Sequence, residues 1–288
     1  MAGVDPIVTL EHRHGDDWWR FSRRAAPAAF CPHVVSNVDY AETTRSFNVR
    51  RELPHPAPVL IVNLGEPIGI VDGFGIRHVF GAGEGFIAGL HERFALSESG
   101  GSQAGVQVAL SPLGAIRLLG VPLGRLAGEV AGLAAVLGSV VARELGARLV
   151  EAADTEARFA LLERFVGDRL GRARDADSAV EWAWTQLTAD PLQSVGALAL
   201  ATGISQRHFI ARFREQVGLP PKAFAQVVRF DRLIKRVEGG ALDWTTRALD
   251  AGYFDQPHML RDFRRYAGMT PRAWLAATLP GGGGLAER

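Results

Sequence analysis

The chain is nearly without cysteine. Cys31 is the only one in 288 residues, so no intramolecular disulfide can form, which fits a reducing compartment such as the cytoplasm. A lone thiol also supplies neither a metal-holding cluster nor an activated pair. Long apolar runs are missing too. The most apolar stretch, Leu126–Ala142, contains Glu129 and is bounded by Arg125 and Arg143. It is short for a membrane span and reads as buried helices. The first twenty residues include Glu11, His12, Arg13, Asp16 and Asp17 and have no apolar core, unlike a signal peptide. Metal ligands are scattered. His55, His78 and His91 stand singly, and the close pair His12 and His14 is read as preceding the sheet, so no metal or other cofactor is expected. Gly81–Gly85 has no following Lys-Ser/Thr and reads as a turn rather than a phosphate loop. Trp18 and Trp19 read as core or interface residues rather than a pocket lining.

Net charge of one sign is also lacking: 32 Lys+Arg stand against 31 Asp+Glu. The distribution is uneven, however. Residues 191–279 hold 13 basic and 7 acidic side chains, the remainder 19 and 24. A basic C-terminal third beside an acidic remainder suggests a nucleic-acid-binding part joined to a partner part. At 47% hydrophobic residues the chain is rich enough for two cores.

The fold class expected is α+β. A β-rich stretch spans 30–110. Val59–Val62 is a short apolar run, Ile68 and Ile70 alternate, as do Val106, Val108 and Leu110, and glycines fall between. Such spacing suits a small sheet sandwich or open barrel. The period changes over 111–170, where Ser111-Pro112 starts a helix and Phe159, Leu162 and Leu170 recur at helical spacing after Asp154. Residues 1–170 are thus read as one N-terminal domain, 171–178 as a charged linker, and 179–279 as an all-α domain. The glycine-rich tail 280–288 is read as disordered.

Within 179–279 one unit occurs twice, at 194–224 and 243–274. Matched pairs include Ala199/Ala248, Leu200/Leu249, Gly203/Gly252, His208/His258, Phe213/Phe263, Arg214/Arg264, Gly218/Gly268 and Pro221/Pro271. Each unit reads as helix, tight turn, helix. Ser194 and Ser205 cap the two helices of the first, Asp243 and Asp255 those of the second. Glycines end them, because a left-handed C-terminal residue favours the absence of a Cβ. Pro257 falls at the second helical position, where its missing N–H has no intrahelical partner. Two short helices joined through a glycine turn form a DNA-binding unit.

On each second helix an apolar face, Phe209 and Phe213 or Met259 and Phe263, opposes a second face. That second face carries Arg207, Ile210, Ala211 and Arg214 with Gln206 at the leading end, and in the second unit Pro257, Leu260, Arg261 and Arg264 with Gln256. These ten residues are the candidate DNA contacts. Arg suits guanine and Gln adenine in the major groove. The joining segment Pro220–Val237 reads as a long helix whose Arg229, Arg232, Lys235 and Arg236 reach phosphates. His208 and His258 lie off the reading face.

From Ala248 to Pro271 the sequence resembles the signature of the AraC/XylS family of transcriptional regulators, and the resemblance covers about residues 178–277. The first unit departs from it: Phe209 stands where leucine is usual, and Ala211 where a basic residue is usual, with Arg212 one place later. The N-terminal part is similar to the sensor region of one AraC-like subgroup through Leu60–Gly65 and Leu118–Leu123. The resemblance implies a cupin-like jelly roll that binds a small effector or dimerises. It further implies double-stranded DNA as partner, with a homodimer and RNA polymerase beside it, and no membrane. Three readings stay open: an effector-responsive regulator, a regulator whose N-terminal domain binds a protein, and an enzyme with a DNA-binding appendage. The last lacks its chemistry, since Cys31 alone provides no activated cysteine cluster, and no enzymatic activity is expected.

Overall fold

The computed structural model describes residues 5–171, 177–237 and 244–287. Most of the expected linker and the Asp243 cap lie outside them. In chain order the elements are β1 (Val8–His14), β2 (Asp17–Arg24), β3 (Val34–Thr43), β4 (Val49–Glu52), β5 (Val59–Asn63), β6 (Ile68–Val71), β7 (Arg77–Phe80), β8 (Gly85–Ala88), β9 (Ala95–Glu98), β10 (Ser102–Leu110) and β11 (Val130–Gly132). Helices α1 (Pro112–Leu119), α2 (Leu133–Leu137), α3 (Ser139–Glu151) and α4 (Thr155–Leu170) follow or flank the last strand. The C-terminal helices are α5 (Ser178–Ala189), α6 (Val195–Ala201), α7 (Gln206–Val217), α8 (Pro221–Val237), α9 (Trp244–Asp250), α10 (Gln256–Ala267) and α11 (Pro271–Ala277).

The strands form two antiparallel sheets, one of seven in the order β1-β2-β3-β10-β5-β8-β11 and one of four in the order β4-β9-β6-β7. Period-two alternation divides the side chains of the larger sheet. Leu60, Val62, Ile87, Val106 and Val108 pack against Leu118, Leu145, Leu149, Phe159 and Leu162 of the helices. Ile61 and Phe86 turn the other way, toward Ile68, Ile70 and Phe80 of the smaller sheet. The α+β class stands.

Three details differ from the sequence reading. The sheet begins at residue 8, not 30, and the His12/His14 pair lies within β1, where His12 stacks on Trp19 at 5.2 Å. The front of the apolar stretch 126–142 is strand β11 rather than helix, because Val130–Gly132 pairs with Phe86–Ala88. The tail is not loose: it turns at Pro280–Gly282, residues 285–287 pair with β4, and Leu279, Leu285 and Ala286 are buried.

Ser111 and Asp154 cap as expected, accepting from the backbone N–H of Gly114 at 3.0 Å and of Ala157 at 2.8 Å. The C-terminal helices share a core with the N-terminal part. Leu90, Leu113 and Leu285 sit in one cluster with Phe209, Phe213, Phe224, Phe230 and Phe263.

Candidate nucleic-acid interface

Both repeat units fold as helix–turn–helix, α6–α7 and α9–α10. Gly203, Gly218, Gly252 and Gly268 end their helices with φ of +69°, +96°, +92° and +68°, the left-handed region in which glycine meets no Cβ penalty. Ser194 accepts from Ala197 N–H at 3.4 Å and Asp255 from His258 N–H at 2.7 Å. Ser205 occupies the N-cap of α7 but makes no side-chain cap bond. Pro257 lies in the first turn of α10.

The two faces of each second helix separate as the wheel requires. Phe209, Phe213 and Val217 of α7 are fully buried, as are Met259 and Phe263 of α10. Gln206, Arg207, Ala211 and Arg214 are exposed on α7, and Gln256, Pro257, Arg261 and Arg264 on α10, while Ile210 and Leu260 are half-buried. Ile210 and Leu260 also touch the core, so they border the exposed faces rather than crown them. Among the described residues, no hydrogen bond or ion pair engages the side chains of Arg207, Arg214, Arg261 or Arg264.

On α8 the reading that the basic side chains reach phosphates is corrected for Arg229 and Arg232, which have internal partners, while Lys235 and Arg236 are exposed. Arg229 is buried, donates through Nη2 to Asp262 at 3.0 Å and to His258 Nε2 at 3.2 Å, and lies over the Tyr253 ring at 4.5 Å. Arg232 donates to the carbonyls of Thr188 and Ala189 at 2.7 and 2.8 Å, where α5 ends. Lys235 pairs with Asp231 at 2.7 Å. Arg212 pairs with Asp177, the N-cap of α5. Sequence reasoning missed the group of Arg229, Asp262, His258 and Tyr253, which ties α8 to α10. Its one signal is a charge set among Val227, Val228 and Phe230 on a helix face that must be buried. Burial pushes the Tyr253 hydroxyl well above its ordinary value, with Asp262 adding to the effect.

The N-terminal part grips the C-terminal ends of both reading helices. The single turn Leu123–Arg125 lies so close to α7 that a Cβ on Gly124 would stand 2.9 Å from the Glu215 carbonyl oxygen. On α10, Arg265 pairs with Glu92 and the Ala267 carbonyl accepts from Arg51. Among the described residues, no hydrogen bond or ion pair ties the leading turns of the two helices to the N-terminal part.

Two helix–turn–helix units with free basic and amide side chains on the second helix of each define a DNA-binding module. Residues 198–277 match the family model of a helix-turn-helix domain, a span from α6 through α11. This part of the chain is therefore an AraC-type helix-turn-helix domain. Its overall fold is similar to that of apo ToxT from Vibrio cholerae, at a TM-score of 0.53 and 12% identity over 84% of this chain and 97% of that one. Unsaturated fatty acid bound ToxT from Vibrio cholerae matches at 0.50 and 12%, over 92% and 100%. These likenesses concern the fold. Comparison with curated protein sequences finds no match. Among the described residues no cluster of His, Cys, Asp and Glu is arranged to hold a metal, and no helix is long and apolar enough to cross a membrane.

Proposed function

We propose that this chain is a sequence-specific transcription regulator that reads two adjacent major-groove segments, one with α7 and one with α10. Gln206, Arg207, Ala211 and Arg214 face the first segment and Gln256, Pro257, Arg261 and Arg264 the second, with Ile210 and Leu260 at the margins. The observation that carries this reading is the unpaired state of Arg207, Arg214, Arg261 and Arg264, while neighbouring arginines are held in internal contacts. In this reading residues 179–279 form the DNA-binding domain and residues 1–170 a regulatory domain. Phosphate contacts dock the module, and side chains at the leading turns select bases. The test is retardation of DNA by the full chain across a salt series. Affinity should fall steeply with salt as bound phosphates release counterions, and a folded chain with no affinity at low salt would contradict the reading.

The regulatory domain is further proposed to answer to a small molecule. Support comes from the likeness to a protein whose structure holds an unsaturated fatty acid. In this chain the space between the sheets is filled at one end by the stacked rings of Phe80 and Phe86, 4.6 Å apart. One opening among the described residues is a groove of about 390 Å³ on the smaller sheet, lined by Asn48, Val49, Gly69, Arg77, Val79 and Glu98. A thermal-shift screen that includes long-chain carboxylic acids tests this, since a ligand that binds only the folded state raises the melting temperature. No shift with any small molecule would favour a protein partner instead.

A further inference from the structure

We propose that Arg51, acting through the C-terminal tail, is a positioning residue for the second reading helix. The proposal rests on the DNA reading above and adds what fixes the register of its two halves.

Arg51 stands on β4, an edge of the smaller sheet. Its guanidinium holds three things at once. Nε and Nη2 donate to the two carboxylate oxygens of Glu287 at 2.6 and 2.5 Å. Nη1 donates at 2.5 Å to the carbonyl of Ala267, the last residue of α10. The Arg51 Cζ lies 3.9 Å from the centroid of the Phe94 ring. A planar fork with five donors is the one side chain able to make a bidentate carboxylate pair and a carbonyl contact together. The C-terminal end of a helix is also its negative end, where a cation is favoured.

The tail that brings Glu287 there leaves α11, turns back on itself at Pro280–Gly282 so that Thr278 bridges Leu285, and lays Leu285–Glu287 antiparallel on the edge of β4. Arg51 N–H donates to Leu285 and Glu287 N–H to Val49, both at 2.9 Å, and Arg50 Nε reaches the Gly283 carbonyl at 2.8 Å. Apolar contacts fasten it: Leu279 and Ala286 join Trp19 and Phe47, and Leu285 enters the C-terminal core. The strap therefore starts in the second helix–turn–helix unit, docks on the N-terminal sheet, and returns through Arg51 to the end of α10. The first unit is anchored separately, through Leu123–Arg125 against α7. Each reading helix is thus referenced to the N-terminal part at its rear while its leading turn stays free. Strap and α8 together set how α10 stands relative to α7, and this limits the DNA spacing the pair accepts.

A tail that merely covered the edge of β4 would affect stability but not spacing. The experiment uses the full chain, Glu287→Ala, Arg51→Ala, and a chain ending at Leu279. A site is obtained for the wild type by selection from random DNA. Affinities are then measured for that site and for versions with one base pair inserted or removed between its two blocks. Wild type should lose at least about tenfold on each altered site, comparable to a mismatched base pair. In Glu287→Ala and the shortened chain that loss should fall to about threefold or less, and adding Glu287→Ala to Arg51→Ala should change nothing further, since Arg51 is the partner of Glu287. Glu287 lies outside the strands and helices and is part-exposed, so Glu287→Ala keeps the test if Arg51→Ala does not fold. An unchanged spacing penalty in Glu287→Ala and the shortened chain overturns the positioning role, even where melting temperatures drop. A wild-type chain that selects no site overturns the DNA reading itself and this inference with it.

Discussion

At the scale of single residues, the structure divides the arginines by what they touch. Arg212, Arg229 and Arg232 are committed to Asp177, Asp262 and the end of α5, whereas Arg207 and Arg261 are exposed and free. Removing Arg261 should therefore cost specificity. A bidentate arginine–guanine contact is worth about 1–3 kcal/mol of discrimination, so Arg261→Ala should relax preference at one or two positions in one half of the selected site. A uniform loss across all sequences, with a shallower salt slope, would make it a phosphate contact instead. Ala211 leaves the first helix one side chain poorer, and Arg212, one place on, turns to Asp177 instead of making up the difference. The first half of the site should accordingly tolerate more base changes. Asp262 behaves differently. It is buried against Arg229, and Asp262→Ala strands a buried charge, which costs about 3–5 kcal/mol. Thermal unfolding of the variant should show a clear drop in melting temperature, and an unchanged melt would mean that the pair is not a tie between α8 and α10.

At the scale of elements, caps give a paired prediction. Asp255 bonds the N–H of His258, and Asp255→Ala should destabilise by about 0.5–2 kcal/mol. Ser205 makes no cap bond, so Ser205→Ala should cost much less. Equal losses in thermal unfolding would contradict the difference in geometry. The same contrast shows what the sequence made legible. Glycine turns, cap residues, Pro257 in the first turn and the buried phenylalanines are local signals, each readable within one helical turn, and they placed the two units correctly. β1 escaped notice because its apolar alternation is only Val8 and Leu10, both exposed, followed by charged and imidazole side chains. The tail escaped because four glycines in succession carry no local preference, and its order comes from β4, more than 200 residues away in sequence. The occupation of Arg229 and Arg232 was hidden for a similar reason: their partners belong to other helices, and a wheel drawn for one helix does not contain them.

At the scale of the whole molecule, the N-terminal and C-terminal parts meet through a common core and a ring of titratable groups. Burial lowers His55, despite the opposing pull of Asp231 on α8 and with Lys235 adding to the lowering. It also lowers His91, beside Glu52 and His55, and His33, between Arg117 and Glu181 of α5. Their folded-state values all lie below the ordinary 6.5, so the unfolded chain takes up these protons first. The stability they confer is complete above about pH 6.5 and is lost as pH falls from there through their folded values. The melting temperature should be lower at about pH 5.5 than at about pH 7.5, and His55→Gln with His91→Gln should flatten that difference. A melt insensitive to pH over this range would mean that the interface does not hold these rings neutral.

In the proposed function one chain reads DNA with two helices set in tandem. Selection of bound sequences from random DNA by the full-length protein tests it most directly. Two enriched blocks about one helical turn, 10–10.5 base pairs, apart are expected, with the block that loses definition in Arg261→Ala distinct from the one affected by Arg207→Ala. A single enriched block, or none, from protein that is folded and retards DNA would contradict it.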